Sequence, residues 1–170
     1  LEKYKLYLEM IKNKNKRSRY LGKNNQNLKK LNFLVKGISN SIFLIPFRDP
    51  LQQSFSLLNQ HKKFLSFAKK DKFVKQYMHL IGHTEFGPNY TPLYDNELQY
   101  DNYFDLNHWL EQWYRVYKFN YTKFNLNKNT FFVCYETLCN CKTYWENIRE
   151  KLQIKNIYEA NFKETKKEVN

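Results

Sequence analysis

The apolar run at residues 41–47, SIFLIPF, is the feature that most restricts the fold, because a helix-start signal follows it almost directly. A continuous apolar run rich in β-forming residues is typical of a strand covered on both faces, as in a parallel sheet. Asp49 is a favourable helix N-cap, and Pro50 is a favourable first helical residue. The sequence therefore predicts a buried strand that leads within two residues into a helix.

Apolar residues recur at helical spacing in five further segments, and one further segment has the composition of a strand. The helical segments are residues 1–12, 25–37, 71–81, 105–117 and 136–154. Residues 130–135, TFFVCY, predict the second strand, which is also expected to be buried. Because strands alternate with helices, we expect a helix-rich α/β structure with a small parallel sheet, and a single domain over residues 1–170.

Residues 82–104 interrupt this pattern and predict a long loop, with two of the four glycines and two of the four prolines of the chain. Long loops in compact domains often carry function, so His83 and Glu85 are candidates for a general base. The alternative is that both side chains bond to the loop itself. The other histidines lie on predicted helices and are expected to be packing or surface residues: His61, His79 and His108.

Composition argues against several classes of protein. Only 4 Gly and 4 Pro occur in 170 residues, which disfavours a β-sandwich with many tight turns. Cys134, Cys139 and Cys141 give neither a disulfide framework nor zinc-ligand spacing, so we expect reduced thiols, no metal and a cytoplasmic location. No apolar run approaches the roughly 20 residues that span a bilayer. The net charge of +13 favours an anionic partner, but lysine is abundant everywhere, so the charge does not favour DNA in particular.

Arg48 follows the predicted strand at the place where ligands bind in open α/β sheets, beyond the carboxyl ends of the strands. The start of the next helix offers free amides and a dipole that favour an anion, and a guanidinium group suits phosphate oxygens. Ser56 lies about two helical turns beyond Asp49 and shares its face of the helix. This spacing predicts a phosphate site. The alternative is an arginine paired with a surface carboxylate, followed by a well-capped helix.

Residues 47–56, FRDPLQQSFS, resemble the 3′-phosphate-binding motif of the sulfotransferases that use 3′-phosphoadenosine 5′-phosphosulfate (PAPS), in which a serine follows the arginine by eight positions. Two later segments, HWLEQWYRVYKF and TFFVCYETL, resemble the helix, the strand and the YE-x-L turn of that family, with Tyr135, Glu136 and Leu138 at the turn. The segment LNQHKKFLSFAKKDKFVKQYMHLIGHTEFG is similar to a bacterial, marine-type branch. The resemblance covers about residues 18–153.

The resemblance implies a P-loop-type, three-layer sulfotransferase fold. It also implies an enzyme that transfers a sulfuryl group from PAPS, as a co-substrate and without a metal, to a hydroxyl or amine acceptor. That acceptor would be a carbohydrate, a lipid or a small molecule. Arg48 and Ser56 would hold the 3′-phosphate, and Lys23, about 25 residues before Arg48, would be the active-site lysine. Glu136 is expected to be structural and to fix the turn after the second strand.

Two features of the family have no counterpart in this sequence. Members begin with a strand and a glycine-containing loop that grips the 5′-phosphosulfate, whereas Gly22 is the only glycine in residues 1–22 and no strand pattern precedes it. The basic, glycine-containing C-terminal segment of some members is not evident in residues 161–170. We therefore expect an N-terminally truncated fragment, inactive alone, with half a nucleotide site and an open sheet edge.

A second class of function is a basic nucleic-acid-binding module without catalysis. Such a module needs cationic and aromatic side chains together on an exposed face. Here the aromatic residues fall at core positions of predicted helices, as Trp109, Trp113 and Tyr117 do, and the charges are scattered. No nucleic-acid partner is therefore expected.

Overall fold

The computed structural model describes residues 1–94, 98–155 and 161–166. Within these residues the chain forms seven helices and a two-stranded parallel sheet. The elements in chain order are α1 (Glu2–Lys14), α2 (Asn27–Gly37), β1 (Phe43–Phe47), α3 (Pro50–Lys70), α4 (Lys72–Leu80), α5 (Leu106–Phe124), β2 (Thr130–Cys134), α6 (Tyr135–Asn140) and α7 (Lys142–Lys151). The prediction of a helix-rich α/β structure with a small parallel sheet is confirmed.

Internal contacts define two compact units, Leu1–Phe43 and Leu44–Asn170, and the prediction of a single domain stays a prediction. In the first unit, Leu31 and Leu34 are buried on α2, as the helical spacing predicted. In contrast, α1 has no buried residue, and its Leu6 side chain is 63% exposed. Residues 1–22 thus form a helix followed by irregular chain, without the strand and phosphate loop with which the sulfotransferase family begins.

The junction between β1 and α3 forms as predicted. The Asp49 carboxylate caps α3 by accepting a hydrogen bond from the Gln52 amide at 2.8 Å. Ile45 is buried at the centre of β1, but Leu44 and Pro46 on either side are exposed. Because successive side chains point to opposite faces of a strand, β1 is covered on one face only. The prediction that both faces of this strand are buried is wrong.

Helices α3 and α5 pack against each other and connect to the sheet. The Gln53 side chain of α3 donates a hydrogen bond to the Tyr117 hydroxyl at 3.3 Å and accepts one from Trp113 Nε1 at 3.2 Å. The Tyr117 hydroxyl in turn donates to the Pro46 carbonyl at 2.9 Å. As predicted, α5 begins after Asp105, which caps it. These bonds hold the end of β1 against the centre of the helical layer.

Two predicted helices differ in the structure. The helix expected over residues 136–154 is broken into α6 and α7 by Cys141, whose backbone is extended, with φ −133° and ψ 105°. On α4, Met78 is buried, but Phe73 and Tyr77, which follow the same helical spacing of apolar residues, are 63% and 50% exposed. Helical spacing of apolar residues therefore identified α4, although much of its apolar surface is not covered.

The predicted loop at 82–104 has neither helix nor strand in its described residues, which exclude 95–97. It contacts α3 at the buried His61, whose Nδ1 accepts a hydrogen bond from the Gly87 amide at 3.1 Å. Gly87 has φ +84°, a backbone conformation that favours glycine, so this turn depends on that residue. The loop is therefore anchored to the helical layer rather than free of it.

A second buried histidine, His108 of α5, binds the same loop. Its Nδ1 lies 2.6 Å from the Tyr100 carbonyl, which can only accept, so Nδ1 carries the proton. Its Nε2 therefore accepts a hydrogen bond from the Tyr90 hydroxyl at 2.7 Å. His61 and His108 are packing residues and His79 is exposed, so the predictions for these histidines are confirmed.

Candidate anion-binding site at the strand ends

Arg48 lies directly after β1 and is half-buried. Its Nη2 donates a hydrogen bond to the Thr165 carbonyl at 3.0 Å, and its guanidinium group lies 5.2 Å from the centre of the Tyr135 ring. Its Nε is buried and has no hydrogen-bond partner among the described residues. A buried donor without a partner is costly, so this nitrogen suits an incoming acceptor such as a phosphate oxygen.

Glu136, the second residue of α6, joins the ends of the two strands. Its Oε1 accepts a hydrogen bond from the Asp49 amide at 2.9 Å, and its Oε2 accepts one from the Cys134 thiol at 3.5 Å. The carboxylate thus holds the end of β2 against the start of α3. The predicted structural role of Glu136 at the turn is confirmed. Its shorter hydrogen bond is to the Asp49 amide, at the junction between β1 and α3.

The start of α3 offers fewer free amides than the sequence suggested. The Gln52 amide donates to the Asp49 carboxylate at 2.8 Å, and the Gln53 amide donates to the Asp49 carbonyl at 2.9 Å. Pro50 has no N–H to offer. In the part of the chain that the structure describes, the Leu51 amide is the remaining donor of this turn. Arg48, rather than the helix end, is therefore the main donor of the site.

Residues 161–166, here called the strap, lie across this site and supply the Thr165 carbonyl that Arg48 contacts. The Lys163 carbonyl accepts a hydrogen bond from the Tyr135 hydroxyl at 2.7 Å. Phe162 packs edge-on against Trp145 of α7, with ring centres 5.3 Å apart. No sequence pattern predicted a role for residues 161–166, and residues 167–170 lie outside the described residues.

Glu164 adds a negative charge to the strap next to Arg48. Its carboxylate accepts a hydrogen bond from the Asn140 side chain at 2.9 Å and forms an ion pair with Lys166 at 3.3 Å. Hydrogen bonds from Asn140 and Lys166 lower the pKa of this carboxyl below its ordinary value, with a smaller contribution from the charge of Arg48. Glu164 is therefore ionised at neutral pH, and Arg48 is close enough to feel its charge.

Ser56 lies on the second turn of α3 and is half-buried. It stands seven residues after Asp49, which corresponds to about 10 Å along the helix axis. Ser54 is fully buried, and its hydroxyl has no partner within the described ranges. Two residues differ by about 200° around a helix, so Ser54 and Ser56 point to opposite sides of α3. Of the two, Ser56 shares its face with the N-cap.

The structure does not bring His83 to Arg48. The His83 Nδ1 lies 3.4 Å from Glu85 Oε2, and the His83 ring packs on Phe86, with ring centres 4.5 Å apart. Phe86 packs on Phe64 of α3 at 5.1 Å. Phe64 stands fourteen residues beyond the first residue of α3, which corresponds to about 21 Å along the helix. His83 and Arg48 therefore lie toward different ends of α3.

Lys23 belongs to the first unit, where it is exposed in the irregular chain between α1 and α2. This unit holds eleven of the Lys and Arg residues but only two acidic residues, which makes +9 of the total charge of +13. Aromatic side chains are exposed on the same unit, including Tyr7 at 49% and Phe33 at 55%. The positive charge is thus concentrated rather than scattered, contrary to the reading of the sequence.

A cavity of about 330 Å³ lies beside β2, and among the described residues none lines both this cavity and the Arg48 site. Its lining includes Leu44, Tyr121, Phe131, Phe132, Tyr144 and Ile148. The Tyr144 hydroxyl accepts a hydrogen bond from the Cys134 amide at 3.1 Å and donates one to the Phe132 carbonyl at 3.4 Å. One side chain of α7 thus bonds to the backbone of β2 at two points.

The described ranges contain no group of three or more His, Cys, Asp or Glu side chains placed to hold a metal ion. In the same ranges, no helix combines the length and the apolar character needed to cross a bilayer. Comparison of the chain with protein-family models, with curated protein sequences and with solved structures gave no match.

Proposed function

We propose that this protein binds the 3′-phosphate of PAPS through Arg48 and Ser56. The chain would then be a PAPS-dependent sulfotransferase or a fragment of one. The observation that carries the proposal concerns Arg48 Nε, directly after β1, which is buried and has no hydrogen-bond partner among residues 1–94, 98–155 and 161–166. A phosphate oxygen at this nitrogen would supply the missing acceptor. A second support is the ordered resemblance of residues 18–153 to the family, in which an arginine and a serine at this spacing hold that phosphate.

In the proposed reaction, an acceptor hydroxyl or amine attacks the sulfur of PAPS and loses its proton to a base. The bond between sulfur and the bridging phosphate oxygen breaks, and adenosine 3′,5′-bisphosphate leaves. Lys23 would stabilise the charge that develops on that oxygen, as the resemblance implies. Arg48 would bind the 3′-phosphate, which does not react, and thereby position the donor.

The charges around Arg48 favour a specific contact over a diffuse one. Lys163 and Lys166 lie nearby in the strap, but three carboxylates balance them: Asp49, Glu136 and Glu164. Since these five charges and that of Arg48 sum to zero, we expect a ligand to be recognised by the geometry of its phosphate. Salt should therefore weaken binding only modestly, because few counterions are released.

Titration calorimetry with adenosine 3′,5′-bisphosphate tests the proposal. Arg48→Ala should weaken binding by roughly tenfold to a hundredfold, since a charge-assisted hydrogen bond contributes about 1.5–3 kcal/mol. Arg149→Ala, which removes an arginine from α7 of the same unit, should leave the affinity unchanged. Adenosine 5′-monophosphate, without the 3′-phosphate, should bind weakly to the parent and to both variants. Equal affinity of Arg48→Ala and the parent for the bisphosphate would refute the assignment.

A second candidate function is nucleic-acid binding by the first unit, which the concentration of charge in Leu1–Phe43 favours. Exposed tyrosine and phenylalanine rings beside lysines are the combination that binds single strands. If this candidate is correct, the affinity for a single-stranded oligonucleotide should fall steeply as salt rises. Arg48→Ala should not change that affinity, which separates this candidate from the first.

A further inference from the structure

We propose that the strap is a built-in competitor that closes the anion site and must leave Arg48 when a phosphate ligand binds. This inference rests on the proposed function of Arg48. The strap presents the Thr165 carbonyl to Arg48 Nη2 at 3.0 Å, where a phosphate oxygen would bind. It also holds the Glu164 carboxylate close to the guanidinium group. If the phosphate bound while the strap stayed in place, the phosphate, the Glu164 carboxylate and the Thr165 carbonyl would all compete for the Arg48 guanidinium group.

Contacts outside Arg48 hold the strap in place. The Tyr135 hydroxyl binds the Lys163 carbonyl, Asn140 binds Glu164, and Trp145 packs against Phe162. The residues of the strap are mostly exposed, so these contacts are in reach of water and individually weak. The strap can therefore be released without unfolding the strands and helices beneath it.

Tyr135 connects the two states of the site. Its ring lies under the Arg48 guanidinium group, and its hydroxyl binds the strap. Tyr135→Phe keeps the ring and removes only the bond to the Lys163 carbonyl. Phe162→Ala removes the ring contact between the strap and Trp145, which does not involve Arg48. Both variants should shift the strap toward the released state.

The affinity of a ligand for a site that is only partly open is reduced by the fraction of open molecules. Loss of one strap contact should therefore tighten the binding of adenosine 3′,5′-bisphosphate by about two- to tenfold in Tyr135→Phe and in Phe162→Ala. Tyr114→Phe, which removes a hydroxyl that only Lys118 contacts in the described residues, is the matched control and should bind like the parent.

Trypsin cleavage after Lys163 reports strap release directly, because the carbonyl that trypsin attacks is the one held by Tyr135. Cleavage after the exposed Lys128 is the internal reference, measured in the same digest by mass spectrometry. In the parent, pyrophosphate or adenosine 3′,5′-bisphosphate should raise the ratio of Lys163 to Lys128 cleavage at least about twofold. Tyr135→Phe should show the higher ratio without any anion.

The outcomes separate this inference from the proposed function. If pyrophosphate speeds cleavage after Lys163 but the nucleotide neither binds nor speeds it, the strap competes for an anion and the sulfotransferase proposal fails. If neither anion changes the cleavage ratio, the strap inference is overturned. Unchanged or weaker nucleotide binding in both Tyr135→Phe and Phe162→Ala would overturn it as well, because a competitor must cost affinity.

Discussion

Replacing Glu136 by alanine should loosen the connection between the two strand–helix junctions. The carboxylate accepts hydrogen bonds from the Asp49 amide at 2.9 Å and from the Cys134 thiol at 3.5 Å. A hydrogen bond to a charged acceptor contributes about 1.5–3 kcal/mol, and thiols are weak donors. Because Glu136 is only half-buried, water can partly replace it, and we expect a loss of about 2 kcal/mol in the free energy of unfolding. For a chain of this size, that corresponds to a fall in Tm of about 4–8 °C.

Urea denaturation followed by circular dichroism gives the free energy of unfolding for this comparison. Glu136→Gln keeps an oxygen that can accept from the Asp49 amide, so it should lose less than half as much as Glu136→Ala. Glu150→Ala removes an exposed carboxylate from α7 and should stay within about 0.5 kcal/mol of the parent. If Glu136→Ala also stays within that margin, the carboxylate does not hold the strand ends together and the reasoning is wrong.

Three further predictions concern His61, Asp49 and Cys141. Burial, and secondarily the electrostatic interaction with His108, lower the pKa of His61. The unfolded state therefore binds more protons than the folded state below about pH 6.5. The free energy of unfolding, measured by urea titration, should fall as pH drops from 6.5 to 5.5. Replacing the exposed His79 of α4 by glutamine should leave this pH dependence unchanged. Asp49→Ala should cost about 1 kcal/mol by removing the cap of α3, whereas Asp49→Asn should cost only a few tenths; equal losses in denaturation would contradict the capping role. Hydrogen bonds from the Thr143 hydroxyl and the Tyr144 amide lower the pKa of Cys141, so iodoacetamide at pH 7.5 should label Cys141 before Cys139, and Thr143→Val should slow that labelling as followed by mass spectrometry.

Local signals in the sequence were enough to predict the junction that carries the site. Asp49 and Pro50 adjoin the apolar run, so capping chemistry alone identifies the start of α3. The same holds for Asp105 at the start of α5. In each case the determining contacts lie within three residues along the chain, which is the range that a sequence pattern reports.

Contacts between distant residues were not predictable in this way. Arg48 and Thr165 are 117 positions apart, and no periodicity links them. The separation of His83 from Arg48 likewise depends on where the loop after α4 meets α3, which the aromatic contacts of Phe86 determine. The break at Cys141 is local, but a cysteine carries no helix-stop signal of the strength of glycine or proline.

The hydroxyl of Tyr144 has a consequence for how this protein meets other chains. It donates to the Phe132 carbonyl and accepts from the Cys134 amide. One residue of a neighbouring parallel strand would make the same pair of hydrogen bonds. A foreign strand that approached these groups would have to displace a phenol anchored in α7. Exposed sheet edges recruit partners and seed aggregates, and a tyrosine that mimics a missing strand discourages both. Along β2, a side chain of α7 thereby takes the place of a third strand.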